Sequence, residues 1–198
     1  MTKKCLEKRP KRQIKDTILI VCSGDTEKVY FDNFKSKAAK INIETYKKTL
    51  SPKKLVELVL KKMTGKNYLQ VWVVFDRDEF EDFDEAIELA ANNYIRVAYS
   101  NQAFELWFLL HFERIEGKFH RKYYEQEINK LMKRTADNHL YKPYYGIYKL
   151  LKNKIDKAIT NSKLGHQKHI RDNSDKSISE WESCTTVYQL VEMLIKIQ

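Results

Sequence analysis

The stretch Leu-Gln-Val-Trp-Val-Val-Phe-Asp-Arg-Asp, residues 69–78, decides the fold of this chain. Residues 69–75 are apolar apart from Gln70, which is typical of a strand buried on both faces of a parallel sheet. Asp76 and Asp78 follow at the edge where an open α/β sheet usually binds its ligand. Two carboxylates this close repel each other unless a cation neutralises them. The pair predicts either a site for a hard divalent cation or a polar loop in which Asp78 caps the next helix.

Two further segments bring acids to the ends of predicted strands. Residues 17–22 form an apolar run that is followed by Ser-Gly-Asp-Thr-Glu at 23–27, and the spacing predicts a helix from about Glu27 to Lys40. A third strand over 96–99 precedes residues 100–112, which we interpret as a buried helix carrying Glu105 and His111. A buried acid is costly unless it is paired or ligates a metal. A histidine on an apolar helix is more often a satisfied core residue than a catalytic one.

These segments resemble the Toprim domain of RloB-like and AbiL-type phage-defence proteins. The matching motifs are residues 23–31, Asp76-Arg77-Asp78 and residues 100–112, so the likeness spans about 17–112, with a weaker match at 185–191. The family usually carries Glu, a metal ligand or general acid/base, where this chain has Ser23. Glu27 resembles the second-metal ligand of the related overcoming-lysogenisation-defect nucleases.

The resemblance implies a nuclease that depends on Mg²⁺ or Mn²⁺ and acts as the effector of an abortive-infection system. It implies a DNA or RNA substrate and an ABC/SMC-like ATPase as protein partner. The implied metal ligands are Asp76, Asp78, Glu27 and Glu105; these four, His111 and position 23 form the implied catalytic set. Ser23 leaves two alternatives to an active nuclease open. In the first, the chain is an inactive Toprim module that binds nucleic acid or the ATPase. In the second, Ser23 is an inactivating substitution in this chain.

Composition favours an intracellular protein with a polyanionic partner. The 198 residues suit one globular domain with a small appendage, and 37 Lys and Arg against 27 Asp and Glu give a net charge of +10. A surface that is basic without a nucleic-acid partner is the alternative. The three cysteines, Cys5, Cys22 and Cys184, form no Cys-x-x-Cys motif, which favours a reducing compartment. No signal peptide or membrane span is expected, so we expect a cytoplasmic location.

The remaining patterns complete an α/β architecture. A strand over 41–46 and helices over 52–63, with Ser51 as N-cap, and 81–92 alternate with the other strands, which predicts a parallel sheet of about four strands with right-handed crossovers. We divide the chain into a basic arm over 1–15, a Toprim-like α/β core over 16–115 and a helical C-terminal region over 116–198 that packs on the core. The helices of that region are predicted at about 123–134, 143–161 and 183–197.

Two features of the C-terminal region bear on function. Residues 142–149 interleave tyrosines with lysines, a pattern that either stacks bases beside phosphates or packs helices on the sheet. His166 and His169 fall in a predicted polar linker, where His-x-x-His has no closing metal ligands. The oligomeric state stays open, although a small nuclease acting on a duplex often pairs its sites as a homodimer.

Overall fold

Four parallel strands form the centre of the protein in the computed structural model. The structure describes residues 17–34, 40–46, 50–135 and 142–198, with the side chains of 132–135 left out. The strands are β1 (Thr17–Cys22), β2 (Lys40–Thr45), β3 (Gln70–Asp76) and β4 (Arg96–Ser100). They pair in the order β2-β1-β3-β4, and every pairing is parallel. The predicted basic arm, with Cys5, lies outside the described residues.

Helices cover both faces of this sheet. The helices are α1 (Asp25–Phe31), α2 (Pro52–Met63), α3 (Phe83–Asn92), α4 (Glu105–Leu109), α5 (Arg121–Thr135), α6 (Ile147–Leu151), α7 (Ile155–Asp172) and α8 (Val187–Lys196). Alternate residues of each strand enter two separate cores. Ile18, Ile20 and Trp72 pack with α1 and the C-terminal helices, while Leu19, Val21 and Val73 pack with α2 and α3. The predicted α/β class, with four parallel strands flanked by helices and a helical C-terminal extension, is confirmed.

The strand order creates a crevice between β1 and β3. From β1 the chain crosses to β2 on one side, and from β2 it crosses back to β3 on the other side of β1. Ligands of open α/β sheets bind where the connections diverge in this way, outside the carboxyl ends of the strands. The loop that follows β1 and the last residue of β3, Asp76, both lie at this point.

The C-terminal segment closes the β4 edge of the sheet. Thr185 forms an antiparallel bridge with Ser100, and the Thr186 backbone N–H donates to the Tyr99 carbonyl at 3.0 Å. The hydroxyl of Thr186 accepts the Tyr99 backbone N–H at 3.0 Å. These bonds fix the start of α8 against the strand that leads to Glu105.

Several helix bounds differ from those predicted. Helix α1 begins at Asp25 and ends at Phe31, where a 3₁₀ turn over Asp32–Phe34 replaces the expected continuation; residues 35–39 are not described. The long helix predicted over 100–112 is shortened to α4. The helix predicted over 143–161 is instead α6, a 3₁₀ turn over Lys152–Lys154 and the long α7. No helix within the described residues is long and apolar enough to cross a membrane.

Candidate active site

Three acidic side chains from three different elements meet at the crevice. Glu27 lies in the first turn of α1, Asp76 ends β3 and Glu105 begins α4. Glu27 is 4% exposed and Glu105 is 2% exposed. Their proximity shows in their electrostatics, because the charges of Glu27 and Glu105 each raise the pKa of Asp76, and Glu105 also raises that of Glu27. The predicted convergence of acids is therefore present for these three residues.

Residues of the turn between β1 and α1 fix the position of the Glu27 carboxylate. The Ser23 hydroxyl donates to Glu27 Oε1 at 2.9 Å. A Cβ at Gly24 would lie only 2.9 Å from Glu27 Oε2, so the carboxylate fits because residue 24 has no side chain. Burial raises the pKa of Glu27 and the nearby Glu105 carboxylate adds to this, although hydrogen bonds from the backbone and Ser23 act against it. Glu27 is thus a fixed, desolvated acid.

Asp76 carries the least satisfied carboxylate of the three. Its Oδ1 is buried and has no hydrogen-bond partner within the described part of the chain. Burial raises its pKa well above the ordinary value, the charges of Glu27 and Glu105 raise it further, and a hydrogen bond from the Phe104 backbone only partly opposes them. A buried oxygen without a donor in a negative environment is a position that a cation would stabilise.

Glu105 is neutralised by a lysine from the C-terminal region. Lys142 Nζ lies 2.7 Å from Glu105 Oε1 and also 2.7 Å from Glu125 Oε1. Burial lowers the pKa of Lys142, but the two carboxylates outweigh it and the pKa rises. Tyr144 is buried beside this pair, and burial followed by the Glu105 charge raises the pKa of its hydroxyl. The sequence indicated that Glu105 needs a partner, but not that Lys142, 37 residues away, supplies it.

The structure holds Asp78 in an ion pair, and its charge is not among those that shift the pKa of Glu27 or Asp76. Its carboxylate forms a close ion pair with Arg121 at the start of α5, and Arg121 Nη2 lies 3.9 Å from Glu125 Oε1. Asp78 does not cap α3, whose N-cap residue is Asp82. Arg121 and Glu125 were not singled out in the sequence, since no spacing rule links α5 to the β3–α3 loop.

His111 is buried among aromatic rings and not among the acids. Its Nδ1 donates to the Trp107 carbonyl at 2.9 Å, and its ring packs edge-on against Trp107 at 5.0 Å. Its Nε2 is buried and lacks a partner among the described residues. Burial lowers the pKa of His111 to about 4, so the ring is neutral near pH 7. This environment favours a structural role.

The residues present partly fit a divalent cation. Glu27 and Asp76 offer acidic oxygens, including the buried Oδ1 of Asp76, which has no hydrogen-bond partner among the described residues, and the Glu27 carboxylate packs closely over Gly24. As the side chains stand, no group of three or more His, Cys, Asp or Glu within the described ranges is arranged to hold a metal ion. Glu105 is paired with Lys142 and Asp78 is paired with Arg121 in this arrangement.

The tyrosine- and lysine-rich segment divides between the two predicted roles. Tyr144 is 2% exposed and packs against Phe108, whereas Tyr145 is 67% exposed. Tyr148 contacts the rings of Tyr30 and Phe34. Tyr144 and Tyr148 therefore pack helices on the sheet, and Tyr145 has a free ring. Tyr141 lies outside the described residues.

His166 and His169 lie within α7, and the predicted linker is wrong. The helix continues through Gly165 because its residues Ile155, Ala158 and Ser162 are buried against the core. His169 Nε2 donates to the Glu182 carbonyl at 2.8 Å, and its ring stacks on Trp181. His166 Nδ1 lies 3.1 Å from the Tyr188 hydroxyl. His169 thus joins α7 to the segment before α8, and His166 joins α7 to α8 itself.

The fold and the site define an α/β protein with a parallel sheet and acidic side chains at its switch point, where sheets of this class bind their ligands. Within that class, a family model described as RloB-like protein matches residues 18–194. The match covers most of the chain, including the acids and the C-terminal helices, and the chain therefore belongs to the RloB-like family. No curated protein and no solved structure matches it.

Proposed function

We propose that this RloB-like protein is a nuclease that depends on a divalent metal, Mg²⁺ or Mn²⁺, and hydrolyses phosphodiester bonds at the β1–β3 crevice. The single observation that carries the proposal is the unpartnered, buried Oδ1 of Asp76 beside Glu27 and Glu105. A cluster of desolvated carboxylates at a ligand-binding edge is costly for stability, and a bound cation offsets that cost.

Glu27 and Asp76 would hold the metal, and Glu105 and Asp78 are further candidate ligands once released from Lys142 and Arg121. A bound divalent ion supplies charge stabilisation at the scissile phosphate and lowers the pKa of a bound water. Ser23 and Gly24 orient Glu27 for this role. Lys142 neutralises Glu105 and brings an ammonium group to the site, where it can contact a phosphate oxygen.

Ser23 limits this chemistry. A hydroxyl is not an acid at neutral pH and contributes no charge, so the site has one anionic ligand fewer than the Toprim pattern of AbiL-type proteins. Cleavage by the chain as it stands is therefore weak in this proposal, unless Glu27 performs the proton transfer. We place His111 outside the reacting groups, since its ring is neutral and faces aromatic residues.

The biological setting follows from the resemblance to phage-defence proteins. We propose an effector of an abortive-infection system that acts on DNA or RNA and is held by an ABC/SMC-like ATPase. The net charge of +10 supports a polyanionic substrate. Membership of the RloB-like family supports a defence role.

A second candidate function is a catalytically inactive module that binds nucleic acid or the ATPase. Two observations favour it: Ser23 stands at the usual Glu position, and Lys142 neutralises Glu105 in place of a metal. In this alternative the buried acids hold the C-terminal region through Lys142, and the protein works by assembly.

Cleavage of circular single-stranded DNA and of RNA, with Mg²⁺, Mn²⁺ or EDTA, separates the two functions. The wild-type chain and Ser23→Glu are each compared with their Asp76→Asn derivatives. Glu57→Gln is the matched control, because it removes a carboxylate from the exposed face of α2. The nuclease proposal expects metal-dependent nicking that Asp76→Asn abolishes and Glu57→Gln preserves. Absence of cleavage by both wild type and Ser23→Glu contradicts it and favours the inactive module.

A further inference from the structure

A cavity of about 180 Å³ opens at the carboxyl end of the sheet, on the face that packs α3. Its walls come from the β3–α3 loop, the turn after β4, the loop before α5 and the segment between α7 and α8. A single water needs roughly 10–15 Å³ of such volume, so the cavity admits a much larger group. It is separate from the acids, which lie on the other face of β3.

Arg77 lines this cavity, and its guanidinium has an unused donor. The Arg77 backbone is fixed, because its N–H donates to the Ser100 carbonyl and its carbonyl accepts the Phe80 N–H, both at 3.0 Å. Arg77 Nε is buried and has no hydrogen-bond partner within the described part of the chain. Arginine stays charged and has only donor atoms, so this buried N–H needs a hydrogen-bond acceptor, and an anion is the acceptor that also matches its charge.

Two lysines add positive charge at the mouth of the cavity. Lys118 Nζ lies 3.7 Å from Glu182 Oε1, and its side chain is 78% exposed. Lys176 also lines the cavity, is exposed, and pairs with no carboxylate among the described residues. A lysine ammonium on its flexible stem can reach a phosphate bound in the cavity and acts on it as a point charge.

The acids that line the same cavity are already engaged. Glu180 Oε2 accepts the Ser177 backbone N–H at 3.1 Å and so caps the short turn over Ile178–Glu180. Glu182 faces Lys118. The lining thus carries three cations, Arg77, Lys118 and Lys176, against these two carboxylates, so the cavity retains an excess of positive charge.

An aromatic ring completes the surface. Phe119 lines the cavity and stacks on Tyr123, with ring centroids 4.2 Å apart and planes 17° apart. The loop that carries Phe119 is tied down, because the Ser183 hydroxyl donates to the Gly117 carbonyl at 2.6 Å. A fixed aromatic ring beside cations is the arrangement on which unpaired nucleotides stack while their phosphates are neutralised.

We propose that this cavity binds one phosphate group of a single nucleic-acid strand. Arg77 donates from Nε, Lys118 and Lys176 neutralise the charge, and Phe119 supports the adjoining base. The inference deepens the proposed function and rests on it in one respect: the strand anchored here is taken to be the substrate of the acids across β3. Binding itself requires neither metal nor cleavage.

The test is anisotropy of a fluorescent single strand of about eight nucleotides, DNA or RNA, in EDTA, where failure of the nuclease proposal has no effect. Arg77→Gln should weaken binding at least about tenfold, as expected for a lost hydrogen bond to a charged group. The slope of log affinity against log salt should become shallower by about 0.7. Lys176→Gln, at an exposed position, should shift affinity and slope in the same direction without affecting folding.

Lys157→Gln is the matched control, since Lys157 is exposed on α7 and lies outside the cavity. Binding by Lys176→Gln and Arg77→Gln equal to wild type, or equal loss in Lys157→Gln, overturns the proposal. Lack of binding by wild type at low salt overturns it too. Competition with inorganic phosphate and with a nucleoside monophosphate shows whether the cavity binds the phosphate of a strand or that of a small molecule. If a monophosphate binds as tightly as the strand, and Arg77→Gln abolishes both, the phosphate site stands and the strand assignment fails.

Discussion

Ser23 donates its hydroxyl proton to Glu27 Oε1 across a distance of 2.9 Å, four residues along the turn that links β1 to α1. The bond links position 23, where the Toprim-like pattern that the sequence resembles has Glu, to Glu27, which matches that pattern. Because Glu27 is buried and has a raised pKa, its position and protonation depend on the hydrogen bonds that it accepts from Ser23 and from the backbone.

Ser23→Glu should raise the rate of metal-dependent cleavage by at least about tenfold. A well-positioned general acid or base contributes roughly 10²–10⁴-fold, and we expect less from a carboxylate that is introduced by mutation. The added carboxylate gives the metal a further anionic ligand. Initial rates on one labelled substrate with Mn²⁺ measure the effect, and Ser23→Gln, which matches the size without the charge, is the control.

A different outcome would reassign the working acid. If wild type is fully active, Ser23→Glu changes nothing and Glu27→Ala abolishes cleavage, then Glu27 performs the proton transfer and position 23 only orients it. Equal gains in Ser23→Glu and Ser23→Gln would contradict a role for the new charge.

The stability of the protein should carry a pH signature of Asp76. Burial raises the folded-state pKa of Asp76 above its ordinary value of 3.8. Between those two values the folded state binds more protons than the unfolded state, so the free energy of unfolding falls as pH rises and this loss is complete above the folded-state pKa. Without divalent ions, Asp76→Asn should therefore have a higher melting temperature than wild type at about pH 8. The difference between the two melting temperatures should become smaller as the pH falls to about 4.

Thermal unfolding of both proteins in EDTA across that pH range checks this expectation. Glu57→Gln removes an exposed carboxylate, and its melting temperature should not rise relative to wild type as the pH increases. A gap that widens on acidification would mean that the Asp76 carboxylate is stabilised in the folded protein, which contradicts the site described above.

Lys142→Met should destabilise the protein by about 1–3 kcal/mol, because it leaves Glu105 buried without its cation. The expected loss lies below that of a fully buried pair, since the Lys142 side chain is 42% exposed. Lys130→Met is the control, as Lys130 pairs with Glu127 on the surface and should contribute about 0–1 kcal/mol. Urea unfolding measures both, and equal losses would refute the structural role of Lys142.

Tyr145→Ala should weaken single-stranded nucleic-acid binding by about 1–3 kcal/mol if its free ring stacks a base. Tyr94→Ala is a matched control, because Tyr94 is 94% exposed but precedes β4 at the opposite end of the sheet. Lys149→Gln and Lys152→Gln should also lower affinity, with a shallower salt dependence. Anisotropy in EDTA provides the measurement; identical affinities for the Tyr145 and Tyr94 variants would assign Tyr145 no part in binding.

The sequence predicts the sheet well because its strands are apolar runs whose acids fall just beyond them. Residues 69–78 alone indicate a doubly covered strand with Asp76 at its end, and the alternation with helices predicts the parallel order. The ion pairs around the acids are another matter. Lys142 pairs with Glu105, and Arg121 pairs with Asp78, although each pair is far apart in the sequence. Local sequence patterns cannot predict such contacts.

The extent of α7 was missed for a related reason. His166, Lys168 and His169 make the stretch look polar, but tertiary packing of Ile155, Ala158 and Ser162 keeps the chain helical. Likewise, Arg77 lies between two aspartates in the sequence, and only the folded structure shows that it lines a cavity separate from Asp76.

Isothermal titration of Mn²⁺ into the full chain tests the central claim, that Glu27 and Asp76 hold a divalent cation, most directly. Wild type should bind the ion in the millimolar range or tighter; Asp76→Asn and Glu27→Gln should each weaken binding at least about tenfold through loss of a carboxylate ligand, and Glu57→Gln should bind as wild type does. Binding that is equal in all four proteins, or absent from wild type, would contradict the claim.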